Sequence, residues 1–323
     1  MQSEIRVRVP ATTANLGPGF DCLALALDLW NEAVFTPVEA GISLQVEGEG
    51  AGKLPDDRSN LVVRAAQFVS DRLGQPLPGL KIHCINRIPL SSGLGSSAAA
   101  VLLGLLGANA LFGSRLDRGD LMEMAIELEG HPDNAAGALY GGLTIVVGQP
   151  YRASQSPCPP GTPDSGEDWV VRRFDLPLLH AALALPELDF PTHAARAVLP
   201  DQVTLADAVF NLGRTALVVE ALRVGDLALL GQVMADRLHQ PYRLPLIPGA
   251  SEALAAACRA GAAAAAISGA GPSLIAFSEG DPAPAAAAMA RVFAEFGLKT
   301  RTFLLQSTNQ CAEAGYSKIC SYN

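Results

Sequence analysis

Apolar residues recur along the chain in two periods, and the alternation between those periods sets out its elements. Ile5–Val9 alternates apolar and polar positions as a half-buried strand does. Ala24–Leu29, Ser43–Val46 and Lys81–Ile85 read as further strands of one sheet. Asn60–Leu73 changes period: Leu61, Ala65, Phe68 and Val69 fall on one face of a helix. Ala98–Phe112 is apolar on every side, the pattern of a helix buried all round. Asp120–Glu129 carries an apolar stripe of Leu121, Met124, Ala125 and Leu128. Asp120 and Glu123 stand three apart at its start, as in a capping box. Gly141–Val147 is a glycine-led strand.

Between Gln149 and Asp168 the periodicity stops and Ser, Pro and Gly dominate. This stretch divides the chain into residues 1–150 and 169–309, with 150–168 as a linker or insertion and 310–323 as a peripheral tail. In the second part, strands (Ala181–Ala184, Ala264–Ile267, Leu274–Phe277, Thr300–Leu304) alternate with helices (Leu205–Leu222, Asp226–Met234, Ala250–Ala260, Ala283–Phe296). The expected class is α+β, with a helix-covered, mostly antiparallel second sheet.

A length of 323 residues suits two domains, and 49% hydrophobic against 17% charged residues excludes a disordered chain. The net charge of −9 gives no basic footprint, so nucleic acid is not an expected partner and an anionic ligand needs local donors. Ala253–Ile267 is interrupted by Arg259 and Gly261, so no membrane span is expected, and Met1–Arg6 does not read as a signal peptide. The cysteines lack a Cys-x-x-Cys pair and read as free thiols, placing the chain in a reducing cytoplasm. Cys22 stands beside a motif, either as an accidental oxidation site or as a small core residue.

Chemistry concentrates in Pro89-Leu90-Ser91-Ser92-Gly93-Leu94-Gly95-Ser96-Ser97-Ala98-Ala99, a turn and Gly/Ser loop that open the most apolar helix. Glycines allow close backbone approach, and the helix N-terminus presents unpaired N–H groups to an anion such as phosphate. No Gly-Lys-Ser/Thr and no Gly-x-Gly-x-x-Gly is present here, so the loop is neither the common P-loop nor a dinucleotide fingerprint. A tight packing turn is the competing reading. Two other stretches bear on the choice: Pro10-Ala11-Thr12-Thr13-Ala14-Asn15-Leu16-Gly17-Pro18-Gly19-Phe20-Asp21 and Ser268-Gly269-Ala270-Gly271-Pro272-Ser273.

Together the three resemble the ordered motifs of the GHMP kinases, and the wording is most similar to the homoserine kinases of that superfamily. Glu129-Gly130-His131-Pro132-Asp133-Asn134, Pro191-Thr192 with Ala195-Arg196, and Pro241-Tyr242-Arg243 also match. The resemblance implies two α+β domains, the first like ribosomal protein S5 domain 2 and the second ferredoxin-like. It implies ATP-dependent phosphorylation of L-homoserine to O-phospho-L-homoserine for threonine synthesis, and a homodimer.

It also assigns residues. The 89–99 stretch, with Gly269 and Gly271 of the third motif, holds ATP, and Asn60 lines the adenine pocket or simply caps its helix. Ser97 and Glu129 supply oxygens to Mg2+, with a surface acid as the alternative for Glu129. Asn15, Asp21, His131, Thr192, Arg196 and Arg243 hold the acceptor, and Glu129, His131, Asn134, Arg196 and Arg243 serve catalysis. An aspartate suits the α-ammonium and a pair of guanidiniums the carboxylate. Asn15 and Asp21 also suit an Asx turn, and both arginines also suit an exposed surface. Asp133 has two readings, a base or a brace for its loop, and bracing is preferred, because phosphoryl transfer through a loose transition state needs little general base. Another small-molecule GHMP kinase, or a nucleotide-binding sensor without catalysis, are the rival functions.

Overall fold

The computed structural model describes residues 4–148 and 169–317. The linker expected over 150–168, the first three residues and the end of the tail lie outside them. The elements run β1 (Glu4–Ala14), β2 (Leu23–Val38), β3 (Ile42–Gly48), α1 (Leu61–Leu73), β4 (Gly79–Asn86), α2 (Ser96–Leu111), α3 (Arg118–Glu129), α4 (Asp133–Tyr140) and β5 (Leu143–Gly148). After the linker come β6 (Trp169–Phe174), β7 (His180–Pro186), α5 (Thr192–Ala197), α6 (Leu205–Val224), α7 (Leu227–Val233), α8 (Gln240–Arg243) and α9 (Ala250–Arg259). The last are β8 (Ala264–Ile267), β9 (Leu274–Ser278), α10 (Ala283–Glu295), β10 (Thr300–Gln306) and β11 (Glu313–Ser317).

Two sheets result. The first has seven strands, with β11-β1-β2-β4-β3 in order and β5 joining β2 to β6. Its parallel pair, β3 and β4, is joined by the crossover helix α1, as parallel strands require. The second is the antiparallel order β10-β7-β9-β8. Numbered along its own chain segment that is fourth-first-third-second, with helices after the first and third strands, the ferredoxin-like arrangement expected for this half.

The inner strands β7, β8 and β9 of the second sheet are buried on both faces, which explains their unbroken apolar runs, whereas the edge strand β10 is largely exposed. Leu183, Ile275 and Phe277 point into the large core shared with the first sheet, α6 and α7. Their neighbours Ala182, Leu274 and Ala276 point the other way, against Ala253, Met289 and Phe293 of α9 and α10. Helix α2 runs through the first core with most of its residues buried, as its uniform apolarity predicted, leaving Ser97 exposed at its start.

Several expectations are corrected. Strand β1 continues to Ala14, so the first half of the Pro10–Asp21 motif is strand and not loop. The proline is accommodated because the β1/β2 register shifts between Pro10 and Ala11. Helix α3 starts a turn early: its cap is Asp117, and Asp120 is the reciprocal partner, not the cap. Strand β6 belongs to the first sheet through β5. The tail from Gln310 is tied down, since β11 pairs with β1 and the Tyr316 hydroxyl donates to the Ala110 carbonyl of α2 at 2.8 Å. Among the described residues no helix is long and apolar enough to cross a membrane. Cys22 and Cys84 are free, and burial first pushes the Cys22 thiol up to about 11, so it is no reactive thiolate.

Packing around α2 sets a direct test. A Cβ on Gly107 would overlap the ring of the fully buried Phe35, whereas one on Gly213 of α6 meets nothing. Gly107→Ala should therefore destabilise by about 1–3 kcal/mol in urea denaturation despite alanine's better helix propensity. Gly213→Ala should stabilise by up to about 1 kcal/mol. The same sign for both would contradict the packing described.

Candidate active site

The Gly/Ser loop leaves β4, turns at Ser91 (φ 49°) and enters α2 through Gly93 (φ 73°) and Gly95 (φ 68°), all in the left-handed region. Both glycines are required by contact as well as by torsion. A Cβ on Gly93 would overlap the Ser268 carbonyl, and one on Gly95 the Thr12 hydroxyl. No side chain caps α2, so the first N–H groups of a 16-residue helix face the loop unpaired. That is a concentrated partial positive charge in a chain of negative net charge.

The three motifs meet here. The Ser268 hydroxyl lies 2.9 Å from Thr13 Oγ1 and 2.7 Å from the Gly93 carbonyl, which accepts from it. The Thr12 amide donates to the Leu94 carbonyl at 3.1 Å, and the Gly269 amide to the Ala14 carbonyl at 3.1 Å. Asn15, itself at φ 69°, donates from Nδ2 to the Gly269 carbonyl at 2.7 Å and accepts from the Asp21 amide at 2.9 Å. Its side chain therefore locks first motif to third while still lining the cavity below, and the bond from Asp21, six residues on, is not an Asx turn.

Two cavities flank this junction. The larger, about 350 Å³, is mostly apolar and is lined by Leu54, Pro55, Asn60, Leu61, Val62, Leu90, Ser91, Ser96, Ser97 and Ala100 among others. Asn60 caps α1, accepting from the Val62 amide and donating to the Pro55 carbonyl, so it both caps and lines. The smaller, about 40 Å³, is polar. It gathers Asn15, Asp21, His131, Asp133, Asn134, Thr192, Arg196, Arg243, Gly269 and Ala270. Every acceptor residue expected from the sequence is in that one cavity. Of the residues expected at ATP, Leu94, Ala98 and Ala99 are buried in the core instead, and Ser92 is buried with its hydroxyl on the Pro89 carbonyl. These shape the loop from beneath. The Gly271 carbonyl lies against Gly93.

At the larger cavity, lining residue Ser97 donates from Oγ to Glu129 Oε1 at 2.6 Å. Burial pushes the Glu129 carboxyl up, with the Ser97 hydrogen bond and His131 opposing and the Asp133 charge adding. A hydroxyl and a carboxylate so placed are hard oxygen donors, the kind that suits Mg2+ with waters or phosphate oxygens completing its shell. Among the described residues no cluster of three or more His, Cys, Asp or Glu side chains is disposed to hold a metal.

The arginines differ. Arg196, in the last turn of α5, makes a bidentate pair with Asp21, both bonds 2.9 Å, and the two side chains are 45% and 33% exposed. Arg243 is buried at 2% exposure, which excludes the surface reading for it. It donates from Nε to the Ala195 carbonyl at 3.1 Å and from Nη1 towards His239 Nδ1 at 3.2 Å. His239 is fully buried, and burial holds its pKa below the usual value. A neutral ring accepting at Nδ1 must carry its proton on Nε2, which donates to the Gly17 carbonyl at 2.8 Å. Asp236 accepts backbone amides of Leu238, His239 and Gln240 and fixes this turn. Phe20 stacks on His239 with centroids 5.2 Å apart and lies under both guanidiniums, 5.1 Å from Arg243 and 5.7 Å from Arg196.

Phe20 and Asp236 are the neighbours of the arginines that motif reading missed, while His239, four residues before Arg243 and one helical turn away, is readable as a companion to it. The signal for Phe20 was an aromatic residue inside the first motif.

Asp133 is buried, and burial first, then the Asp21 charge, push its carboxyl up to about 6. Its Oδ1 accepts the Asn134 amide at 2.7 Å and Nδ2 at 3.2 Å, and Asn134 Oδ1 accepts from the Thr12 hydroxyl at 2.8 Å. The geometry is that of a brace. A carboxyl raised on folding favours the folded state below its unfolded pKa and loses that contribution as pH climbs through about 6. Asp133→Asn keeps the amide acceptor and removes the titration. Its stability relative to the unaltered chain should rise between pH 4 and pH 7 by on the order of 3 kcal/mol at most, read by urea denaturation. A difference independent of pH would refute the burial assigned to this carboxyl.

Comparison with known proteins bears on the whole chain. Residues 60–142 match the model of the GHMP kinases N terminal domain, and residues 218–295 that of the GHMP kinases C terminal region. Homoserine kinase of Moorella thermoacetica is 44% identical over 91% of this chain and 94% of its own. That of a Synechococcus strain is 43% identical over 93% and 94%. Among solved structures, homoserine kinase from Cytophaga hutchinsonii superposes with a TM-score of 0.82 at 30% identity, covering 98% of each chain. A putative homoserine kinase from Listeria monocytogenes gives 0.72 at 28%, covering 97% and 100%.

Proposed function

The chain belongs to the GHMP kinase family, among its homoserine kinases, and on that footing we propose that it transfers the γ-phosphoryl group of ATP to the hydroxyl of L-homoserine. The products are O-phospho-L-homoserine, for threonine biosynthesis, and ADP. The observation that carries this reading is the small cavity beside Gly95, where two guanidiniums and two carboxyl groups converge. A sugar or mevalonate would leave at least part of that charge unmatched, and a free nucleotide sensor has no use for it.

In this reading the larger cavity takes the nucleoside, and the α2 N-terminus with Gly93–Ser97 takes the phosphates. Ser97 and Glu129 hold Mg2+, which would screen the phosphate charge when bound. Asp21 takes the α-ammonium. Arg243 and Arg196, with the Thr192 hydroxyl, take the carboxylate. His131 and Asn134 then position the hydroxyl beside Gly95, since a Cβ on Gly95 would lie 3.0 Å from Asn134 Oδ1. Asp133 braces Asn134 and is not asked to remove the proton. Positioning and charge do most of the work in such a transfer.

We also infer that the two halves share the site, the first supplying the α2 loop with Ser97, Glu129, Asn15, Asp21 and His131, and the second Thr192, Arg196, Arg243, Gly269 and Gly271. The homodimer implied by the resemblance is likewise a proposal; the apolar surface available to it is the face of α6 bearing Leu205, Val209 and Leu212, which are 80%, 59% and 70% exposed.

The test is coupled ADP release by purified protein with ATP and Mg2+, offering L-homoserine, mevalonate and galactose separately. Turnover confined to L-homoserine is expected, and turnover on another acceptor alone overturns the reading. Glu129→Gln should lower activity at limiting Mg2+ by about tenfold or more and be partly rescued at high Mg2+. Indifference to Mg2+ would remove Glu129 from the metal. Arg243→Lys should raise the KM for L-homoserine by about tenfold or more with little effect on that for ATP, because an ammonium cannot hold three acceptors in one plane.

A further inference from the structure

Asp21 and Arg196 are the groups assigned above to opposite ends of the acceptor, yet in the structure they bind each other. The contact is built rather than incidental. Asp21 sits at φ 55°, in a backbone conformation a non-glycine residue rarely adopts, held by the hydrogen bond from its amide to Asn15. Arg196 comes from a helix 175 residues away and meets it with two parallel bonds. With the pair closed, the cavity is about 40 Å³, well below the roughly 300 Å³ or more of ordinary small-molecule sites. Arg243 is in a different state. Among the described residues its Nε and Nη1 have protein partners and its Nη2 has none, so it presents a fixed donor that needs no release.

We propose that the Asp21–Arg196 ion pair stands in for the acceptor's own two charges and thereby selects substrates that carry both. A zwitterionic amino alcohol splits the pair and satisfies both halves, its ammonium on Asp21 and its carboxylate on Arg196 beside Arg243. The exchange leaves the charge of the site balanced. A hydroxy acid or an amino alcohol without carboxylate satisfies one half and leaves the other unpaired, so it must break the bidentate contact without replacing it. Phe20 gives Arg196 a second contact besides Asp21, since the guanidinium lies over its ring. This inference rests on the proposed reaction.

Four proteins decide it: the unaltered chain, Asp21→Asn, Arg196→Gln and the double variant. Each is assayed for ADP release with L-homoserine and for calorimetric binding of 4-hydroxybutanoate and 3-aminopropan-1-ol, the analogues lacking the amine and the carboxylate. Asp21→Asn should weaken L-homoserine yet tighten 4-hydroxybutanoate by about two- to fivefold, the range for a half-exposed pair. That gain should vanish in the Arg196→Gln background. Arg196→Gln should reciprocally tighten 3-aminopropan-1-ol, with the gain lost once Asp21 is also replaced. A role for either residue in direct contact alone predicts no tightening in any variant, and that result overturns the proposal. Equal gains in both backgrounds signal general relief of charge and overturn it as well. Analogue binding is read whether or not L-homoserine turns over, so absence of turnover in the unaltered chain counts against the assigned reaction alone.

Discussion

The Ser268 hydroxyl, shared between Thr13 and the Gly93 carbonyl, is the contact on which the rest of the site depends. It joins the first and third motifs to the phosphate-facing loop at a point where no Cβ fits. Because Ser268 and Gly93 are buried or half-buried there, the bonds are formed away from competing water, and a missing partner would leave a buried polar atom unsatisfied. The loop geometry around α2 is therefore a tertiary property, enforced from the second sheet, and not a local preference of glycine and serine.

From that junction, charge is separated by depth. The donors for an anion are backbone groups at the α2 terminus, which keep their partial charge at any pH. The ionisable groups are arranged by burial. Arg243 is enclosed and held by carbonyls and a neutral His239, while Arg196 stands at the rim and is free to exchange partners. Asp236 is pushed up by burial, yet nearby His239 and the hydrogen bonds from Asn211, Gln240 and Leu238 more than offset this and hold it below its ordinary value. Asp133, with fewer donors, is left well above that value. Two buried aspartates thus diverge: burial raises both, but more donors and His239 reverse the shift at Asp236, while the Asp21 charge adds to it at Asp133.

Much of this was legible in the sequence. The three motifs carry their own chemistry, since left-handed torsions and close approach demand glycine, and so their positions were readable. The expected acceptor residues fall in one cavity, and α2 is buried all round as its apolarity indicated. What escaped depends on partners distant in the chain. Which sheet takes Trp169–Phe174 is decided by β5, and the tail acquires structure from β1. The bond between Asp21 and Arg196 follows from the meeting of two sheets, and no local spacing encodes it. The cap of α3 was misplaced for a different reason. Asp117, Asp120 and Glu123 form two overlapping boxes, and only the tertiary setting chooses between them. The strand character of Pro10–Ala14 was hidden by a proline at a register shift.

Strand β11 gives the molecule a temporal order. Glu4 pairs with Ser317, so β1 finds one of its two neighbours only after 313 further residues have been made. Until then one edge of β1 stays open, as does the Ala110 carbonyl that Tyr316 later engages. The catalytic junction has the same property, since Gly93 waits for Ser268 and Asn15 for Gly269. The first half can collapse around α2 during synthesis, but its loop takes its final shape only after the second half has emerged.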